Sequence, residues 1–393
     1  MRRLVRYTRW PFDEKPLLVF WETTKACLLA CKHCRAEAIE KPLPGELTTE
    51  EGLRLVDEVA SFGSPHPILV FTGGDPLMRA DLWDLVVYAR EKGVRVALAP
   101  SVTPLLTETS IKKTAEAGVS AVSISLDGAS SEVHDGVRGV PGTWAKTLEA
   151  IKLFKDYGVK VQVNTTIMRP TLFELPKIVS LLEKLEVQAW ELFYFVKVGR
   201  GASYLDLEPW EWEEVSHFLY DASFYGLTLR TVEGPMFRRI ALARHVAERE
   251  GLDHVKLFKL GGLYKGLLSE LKSIAGPTRA ESKAETTGTR DGKGVVFIAN
   301  NGDVCPSGFL PVAGGNVRRE GLKRVYLESE FFKKLRRAEF QGRCGRCEFR
   351  QICGGSRARA YSATGNPLGE DPACPYIPGS YMELGLNVEV PQL

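Results

Sequence analysis

The sequence has no long apolar segment and no strong excess of charge of either sign. No apolar run reaches the ~18 residues needed to span a bilayer, and the basic start MRRLVRYTRW is not followed by the apolar core of a signal peptide. A net charge of +3 over 393 residues is too small to indicate nucleic acid or a membrane surface as a partner. We therefore expect a cytoplasmic protein that binds neither.

Cysteine is also scarce, and its distribution is uneven. The chain has 8 cysteines, and the segment 35–304 contains none. Cys27, Cys31 and Cys34 lie close together near the start. The others lie towards the end of the chain, at Cys305, Cys344, Cys347, Cys353 and Cys374. In a reducing compartment, clustered cysteines indicate metal binding rather than disulfides.

The chain from residue 17 onwards alternates short apolar runs with longer amphipathic stretches, which predicts strands and helices in turn. One helical stretch, 48–62, opens with a capping box formed by Thr48 and Glu51. The predicted strands cover residues 17–24, 67–74, 95–102, 121–128, 160–167 and 189–196. Strands that are apolar on both faces and alternate with helices form parallel sheets. The fold class is therefore α/β, a partial (βα)6 TIM-like barrel with its function at the loops after the strands.

The length and composition predict more than one domain. We expect an N-terminal extension (1–16), a barrel (17–205), a helical connection with a polar linker (206–294), and a cysteine-rich domain with its tail (295–393). The stretch 276–294 is polar and lacks aromatic residues, so it is predicted to be a linker or mobile loop. The last domain has too little apolar surface to fold readily without a metal.

The three early cysteines have the spacing C-x3-C-x2-C and directly follow the first predicted strand. Three thiolates can hold three irons of a four-iron cluster and leave the fourth iron open to another ligand. A structural zinc ion would need a fourth protein ligand, and His33 is poorly placed for this because it is adjacent to Cys34. The cluster is the favoured hypothesis, and zinc or redox-active thiols are the alternatives.

This cysteine pattern, after the first strand of a six-unit barrel, resembles the radical S-adenosylmethionine (SAM) superfamily over about residues 15–200. The resemblance implies that SAM binds the open iron and that one electron from the reduced cluster cleaves its sulfonium. The resulting 5′-deoxyadenosyl radical takes a hydrogen atom from the substrate. A low-potential electron donor of the ferredoxin or flavodoxin type is implied as a partner.

The second strand ends in the sequence TGGDP, which is similar to the Gly-Gly-Glu-Pro motif of that superfamily. The resemblance implies that Gly73, Gly74, Asp75 and Pro76 contact the methionine part of SAM. Asp75 is one methylene shorter than the usual Glu, which favours a backbone contact over a side-chain contact. Read alone, the motif is a turn. The Thr-Asn-Gly motif of relatives is not matched at Thr103, so no role is transferred there.

The stretch SISLDG…HDGVRG is similar to the segments that bind the ribose and carboxylate of SAM in the superfamily. It implies that Ser125 and Arg138 contact SAM, since a guanidinium can grip a carboxylate with two hydrogen bonds. A helix cap and a surface ion pair are the alternatives. The same alignment puts His33 near the adenine, with Asn164 on the fifth strand and Val196 to Gly201 after the sixth as further candidates.

The later cysteines Cys344, Cys347, Cys353 and Cys374 have the spacing of a four-ligand metal site, for which sequence chemistry alone leaves zinc open. The stretch CGRCEFRQICGGSRARAY with its surroundings resembles the SPASM-type extension of radical SAM enzymes, which implies a [4Fe-4S] cluster. We therefore expect two [4Fe-4S] clusters in all. Cys305 is expected to be a buried non-ligand, because the other cysteines of a further auxiliary cluster are missing. Incomplete ligation of another kind is the alternative.

The phrases WETTKACLLACKHCRAEA and CGGSRARAY are similar to two groups of such enzymes. One group modifies tetrapyrrole side chains in the haem and haem d1 pathways, and the other contains uncharacterised and peptide-modifying SPASM enzymes. Only about sixteen residues precede the first strand, too few for a leader-peptide-binding domain. We therefore expect oxidative decarboxylation or loss of a tetrapyrrole side chain. The alternatives are a peptide maturase and, of another class, an iron–sulfur electron carrier or zinc-binding adaptor.

A basic run accompanies the later cysteines. Arg346, Arg350, Arg357 and Arg359 are expected to favour a reduced cluster or to bind an anionic substrate such as a propionate. A solvated basic surface is the alternative.

Overall fold

The computed structural model describes residues 10–391 except 279, 285 and 287. The first nine residues of the predicted N-terminal extension, three positions of the predicted linker and the last two residues of the tail lie outside this description. Across the described part of the chain, no helix has both the length and the apolar character needed to cross a membrane.

Eleven strands of the described chain form one sheet. They are β1 (Leu18–Glu22), β2 (Ile68–Thr72), β3 (Arg95–Leu98), β4 (Ala121–Ser125), β5 (Lys160–Ile167), β6 (Ala189–Tyr194), β7 (Thr228–Val232), β8 (Arg290–Asp291), β9 (Gly294–Ile298), β10 (Asp303–Cys305) and β11 (Gly315–Asn316). Strands β1 to β7 are parallel and follow each other in chain order. The predicted α/β fold with a parallel barrel sheet is therefore confirmed.

The helices alternate with these strands and then continue into the C-terminal domain. They are α1 (Thr49–Ala60), α2 (Leu82–Glu91), α3 (Glu108–Glu116), α4 (Ser131–Arg138), α5 (Thr143–Asp156), α6 (Leu175–Lys184), α7 (Pro209–Ala222), α8 (Met236–Arg249), α9 (His254–Leu257), α10 (Gly262–Ala275), α11 (Leu322–Glu328), α12 (Glu330–Arg337), α13 (Gly342–Arg346), α14 (Arg357–Thr364) and α15 (Ser380–Glu383). The predicted capping box starts α1: Thr48 and Glu51 each bond to the other's backbone N–H.

The alternation of side chains along each strand separates a packed outer layer from an open interior. In β1, Val19 and Trp21 are fully buried in the main apolar core. Trp21 packs so closely against α1 that a Cβ added at Gly52 would lie 2.6 Å from its ring. Leu18 and Phe20 point the other way and line an interior cavity. The barrel therefore presents alternate residues of its strands to one enclosed space.

The sheet is wider than the six strands that the sequence predicts for the barrel. A seventh strand, β7, pairs in parallel with β6. On the other side of the barrel, β9 pairs in parallel with β1, and β10 and β11 continue antiparallel. The sheet thus crosses the boundary predicted at residue 295, because β9 is buried on both faces and needs two neighbours. The division of the chain into four segments stays a prediction.

The stretch 276–294 differs from the expected linker. Its described residues include strand β8, and Arg290 and Asp291 line the interior cavity. Arg290 donates hydrogen bonds of 2.6 and 2.9 Å to the carbonyl oxygens of Arg350 and Gln351. These contacts join residues far apart in the sequence, so the polar composition of the segment gave no sign of them.

Candidate functional site

The loop after β1 carries the first three cysteines, as predicted. Cys27 and Cys31 are buried, and Cys34 is partly exposed. Cys27 and Cys31 form a small apolar cluster with Leu29 and Ala38, and Cys34 packs against this cluster. Backbone N–H groups of Leu29 and Ala38 donate to the sulfurs of Cys27 and Cys34, each at 3.4 Å. Such bonds to sulfur stabilise thiolate ligands.

The cysteine loop is held by residues that follow β6. Arg200 donates hydrogen bonds of 3.0 and 3.1 Å to the carbonyl oxygens of Cys31 and Ala38. Gly199 approaches the loop so closely that a Cβ there would lie 2.4 Å from the carbonyl oxygen of Cys34. The sequence places Arg200 within the stretch 196–201, a candidate for contact with SAM, and gives no sign that it holds the cysteine loop.

Burial alone would keep these thiols protonated. It raises the pKa of Cys27, and it raises the pKa of Cys31 against the opposing charge of Arg138. Binding to iron deprotonates a thiol outright. Among the residues that the structure describes, no three His, Cys, Asp or Glu side chains converge on the position of a single metal ion. A four-iron cube holds its thiolates at separate corners, so its ligands need not converge on a single point.

The predicted glycine motif lies against the backbone that leads into the cysteine loop. Gly74 and Asp75 donate hydrogen bonds to the carbonyl oxygens of Thr24 and Ala26 at 2.8 and 2.7 Å. A Cβ added to Gly74 would lie 2.4 Å from the Ala26 oxygen, and Gly73 has a φ of +148°. Pro76 then starts a buried 3-10 turn. The glycines are therefore required for packing against the chain itself, besides any contact with a ligand.

Replacing Gly74 with alanine is expected to disturb the cysteine loop. Because the clash is with backbone atoms, the loss of stability should be about 1–3 kcal/mol, with a parallel loss of iron bound by the early cysteines. Denaturant unfolding and iron analysis of the anaerobic protein measure both effects. Gly136→Ala is the control, because Gly136 is helical and has no atom within 4 Å of an added Cβ. It should raise stability by about 0.5–1 kcal/mol. Equal behaviour of the two variants would contradict the prediction.

The side chain of Asp75 is engaged by other groups of the protein. It is fully buried, and its oxygens accept hydrogen bonds from the Thr103 hydroxyl at 2.7 Å and from the backbone N–H groups of Leu77 and Ser101 at 3.1 and 3.3 Å. Burial raises the pKa of this carboxyl, and the bond from Thr103 opposes the rise. The shorter side chain of Asp75 thus braces the loops after β2 and β3, a partnership that the sequence did not reveal.

The guanidinium of Arg138, which the resemblance predicts to bind the SAM carboxylate, is engaged by groups of the protein itself. Its guanidinium forms an ion pair with Asp127 and donates to the sulfur of Cys31 at 3.7 Å. Asp127 is fully buried, so this is not the surface ion pair of the alternative interpretation. His33 lies 3.7 Å from the same carboxylate. Burial lowers the pKa of His33 to about 4, so the ring is neutral.

Two buried nitrogens beside the cysteine loop have no hydrogen-bond partner among the residues that the structure describes. They are Nε of Arg138 and Nδ1 of His33. Buried donors and acceptors are nearly always satisfied in folded proteins, so these atoms fit a polar ligand at this position. Three thiols on one loop, two unused polar atoms and the glycine motif together suit a three-thiolate cluster and SAM.

The remaining predicted SAM residues fall into two groups. Ser125 ends β4 directly opposite Asn164 on β5. Asn164 lines the interior cavity, and its side-chain oxygen accepts a hydrogen bond from Gln162 at 2.9 Å. Val196 differs from its prediction, because its side chain is buried in an apolar cluster with Leu310 and Ala358 of the C-terminal domain. Its apolar character is explained by that packing.

The interior cavity has a volume of about 570 Å³. Strands β1, β2, β3 and β9 contribute mainly apolar side chains, which we call the apolar wall. Strands β4 to β7 and the segments after them contribute most of the polar side chains, which we call the polar wall, together with apolar residues such as Phe193 and Val232. The apolar wall includes Leu18, Phe20, Ile68, Val70, Ala97, Ala99, Val295 and Phe297, and the polar wall includes Ser123, Gln162, Asn164, Glu191, Arg230, Glu233, Arg238, Arg290 and Asp291. Arg35, one residue after Cys34, and Thr72, one residue before Gly73, also line it. The cysteine loop and the glycine motif therefore lie at the edge of this cavity.

The four later cysteines line a second pocket together with Gly355, Asp371 and Tyr376. The Cys344 sulfur accepts hydrogen bonds from the Asp371 backbone at 3.4 Å and from Arg357 at 3.6 Å. Burial raises the pKa of Cys374, and the charge of Arg239 opposes the rise. Cys305 lies apart from this pocket on β10, where burial raises the pKa of its thiol to about 12.

The basic run does not form a solvated surface as a whole. Arg357 and Arg359 are buried, and Arg359 forms an ion pair with Asp371 at 3.0 Å. Arg346 and Arg350 are exposed. Arg357 and Arg359 therefore hold the C-terminal domain together around the second cysteine pocket. The prediction that they bind a substrate does not fit their positions.

Comparison with known proteins agrees with this geometry. Residues 21–182 match the family model of the radical SAM superfamily. The AdoMet-dependent heme synthase of Oleidesulfovibrio alaskensis is 39% identical, with 92% of this chain and 87% of that protein covered. The Fe-coproporphyrin III synthase of Methanosarcina barkeri is 32% identical, covering 92% and 88%. The structure of Streptococcus suis SuiB bound to the precursor peptide SuiA shares the fold, with a TM-score of 0.65, 15% identity and coverage of 92% and 76%.

A partial TIM barrel with a three-cysteine loop after its first strand defines an iron–sulfur enzyme that uses SAM. This chain belongs to the radical SAM superfamily, and its relatives include haem-biosynthesis enzymes and SPASM-type maturases. Enzymes of this superfamily bind SAM and a [4Fe-4S] cluster, and they use a reductant and a small-molecule or peptide substrate.

Proposed function

We propose that this enzyme acts on the propionate side chains of a tetrapyrrole, in the oxidative decarboxylation typical of haem biosynthesis. We further propose that it carries two [4Fe-4S] clusters. Cys27, Cys31 and Cys34 hold the first, and Cys344, Cys347, Cys353 and Cys374 hold the second. The observation that carries the substrate proposal is the interior cavity with its two unlike walls.

The shape and chemistry of the cavity suit a flat, largely apolar ring with anionic groups on its edge. Its volume of about 570 Å³ is in the range of pockets that enclose cofactor-sized ligands. The apolar wall can cover the face of a macrocycle. Two arginines, Arg230 in the polar wall and Arg35 beside Phe297 of the apolar wall, bring positive charge towards carboxylates. The names of the heme synthase and Fe-coproporphyrin III synthase relatives support the same substrate class.

Arg35 is the cavity arginine nearest in sequence to the first cluster. It follows Cys34, donates a hydrogen bond of 3.1 Å to Glu22, and lies 4.5 Å from the ring centre of Phe297. Stacking on an aromatic ring and pairing with a carboxylate fix the guanidinium in one orientation. A propionate bound near Arg35 would therefore lie close to the cysteine loop.

The cofactors supply the 5′-deoxyadenosyl radical when they are bound, and the chain supplies position. We propose that SAM is surrounded by His33, Gly73, Gly74, Ser125, Arg138 and Asn164. Asp75 and Pro76 shape the loop after β2, and Val196 packs against Leu310 and Ala358. Removal of one hydrogen atom from the propionate carbon next to the ring leaves a substrate radical. That radical becomes a vinyl group as it releases carbon dioxide and one electron. A cluster in the second pocket would supply an acceptor for this electron.

One residue connects the two sites between which this electron would move. Gly355 lines both the interior cavity and the pocket of the four later cysteines. Ser356, the next residue, also lines the cavity. The electron that starts the reaction would come from a ferredoxin- or flavodoxin-type donor. Reduced thiolates and such donors favour the cytoplasm as the location.

An anaerobic assay tests the proposal. The reconstituted protein should hold about eight irons per chain, and it should release 5′-deoxyadenosine from SAM only when dithionite is present. With Fe-coproporphyrin III as the probe, mass spectrometry should detect loss of carbon dioxide and two hydrogens from a propionate. Zinc in place of iron, or iron without SAM cleavage, would instead support an adaptor or electron carrier. Unchanged porphyrin alongside a modified peptide would support a maturase.

A cavity-filling variant provides the matched control. Ala97 lies on β3 and lines the cavity, so Ala97→Phe occupies the space proposed for the macrocycle. We expect this variant to keep both clusters and to lose porphyrin conversion by at least about tenfold, because an added ring displaces the substrate. Undiminished conversion would show that the substrate binds elsewhere.

A further inference from the structure

Arg239 is a buried arginine in the wall of the second cysteine pocket, and no motif in the surrounding sequence marks it. It lies on α8, and only 1% of its surface is exposed. The pocket that it lines also contains the sulfur-bearing residues Cys344, Cys347, Cys353 and Cys374. A full positive charge is therefore held inside the protein at the position of the proposed auxiliary cluster.

Neighbouring groups hold this charge in place. The two terminal nitrogens of Arg239 donate to the two carboxylate oxygens of Glu213 on α7, at 2.9 and 2.6 Å. The Tyr381 hydroxyl accepts a further hydrogen bond from Arg239. The guanidinium carbon lies 4.4 Å from the ring centre of Tyr376. A guanidinium with a bidentate partner and an aromatic neighbour is fixed in orientation, so its charge cannot move away from the pocket.

We propose that Arg239 raises the reduction potential of the auxiliary cluster and that its partner Glu213 limits this rise. The inference rests on the proposed auxiliary cluster. Reduction adds a negative charge to a cluster, and the reduction potential depends on nearby charge, burial and hydrogen bonds to sulfur. Arg239 stabilises the reduced form because charges interact more strongly in the protein interior than in water. Glu213 opposes this with a negative charge farther out, at 22% side-chain exposure.

Because Arg239 and Glu213 carry opposite charges, replacing each by a neutral residue should shift the reduction potential in opposite directions. The measurement uses the triple variant in which Cys27, Cys31 and Cys34 are replaced by alanine, so that only the auxiliary cluster is loaded. Its potential is read by redox titration monitored by electron paramagnetic resonance. Arg239→Gln should lower the potential and Glu213→Gln should raise it. Each shift should correspond to about a tenfold change in the reduction equilibrium, or about 59 mV for one electron.

A matched control lies on the same helix. Arg244 is also 1% exposed, donates to both oxygens of Asp221 at 3.0 and 2.7 Å, and lies 4.7 Å from the ring centre of Tyr220. It does not line the cysteine pocket. Arg244→Gln therefore removes an equally buried and paired charge away from the cluster. It should leave the potential unchanged.

The outcomes distinguish a failure of this inference from a failure of the proposed auxiliary cluster. Absence of iron in the triple variant would overturn the auxiliary cluster, and the role of Arg239 with it. Bound iron with the same potential in Arg239→Gln and Glu213→Gln as in the parent would overturn the role of Arg239 alone. A fall in both variants would also contradict it, because that indicates a distorted site. If Arg239→Gln loses its cluster, two other variants decide. A raised potential in Glu213→Gln together with a near-parental potential in Arg239→Lys, which keeps the charge, supports the inference. Any other pair of results contradicts it.

Discussion

Replacement of Cys27, Cys31 and Cys34 by alanine is expected to abolish cleavage of SAM and to leave about half of the iron in the protein, since one of the two proposed four-iron clusters is lost. Release of 5′-deoxyadenosine should fall to the background of the assay without enzyme. Iron analysis and chromatography of the reaction mixture measure the two quantities. The result is expected because these thiols share one loop at the edge of the interior cavity.

The loss should be specific to the first cluster. The later cysteines lie in a separate pocket, so their cluster should form in the triple variant and give its own spectroscopic signal. Cys305→Ala is the control, because Cys305 is a buried thiol outside that pocket. It should keep all the iron and full SAM cleavage. Cleavage by the triple variant, or a loss of iron from Cys305→Ala, would contradict the assignment of ligands.

The second large effect is expected when Cys344, Cys347, Cys353 and Cys374 are replaced by alanine. About half of the iron should again be lost, but the early cysteines should still support formation of 5′-deoxyadenosine. Conversion of the tetrapyrrole probe should fall at least roughly tenfold, because the electron released from the substrate radical loses its acceptor. Separate assays of 5′-deoxyadenosine and porphyrin product measure this uncoupling.

The same variant should also be less stable. Cys353 is part of the main apolar core, and Cys347 and Cys374 pack against that core. A metal bound by these residues contributes its binding energy to folding. A lower midpoint of denaturant unfolding, absent from Cys305→Ala, is therefore expected. Full porphyrin conversion by the variant without its second cluster would contradict the role given to that cluster.

Local patterns explain why much of this molecule was predictable. The three early cysteines are spaced along one short loop, and the glycine motif directly follows a strand. Both features depend on neighbours in the chain, and both lie where the sequence predicts them. The alternation of apolar runs and helices likewise predicts the parallel sheet, because each strand needs a helix on its outer face.

Contacts over long distances explain the differences. Asp75 bonds to Thr103 rather than to open space, and Arg138 pairs with Asp127. The sequence marks all four positions as polar but does not say which partner each will meet. Arg239 is the strongest case: nothing around it in the chain distinguishes it from Arg238, yet it alone of the two lines the second cysteine pocket.

By itself the sequence determined where the thiols cluster and the order of strands and helices, because thiol spacing and apolar periodicity act within a few residues. Only the tertiary structure decided which charges surround the two cysteine pockets and which walls enclose the cavity between them. Those features bring together β1, β9, α7, α8 and the last domain. Their partners are selected by packing of the whole chain, because a buried charge is tolerated only where a compensating group from another element arrives beside it.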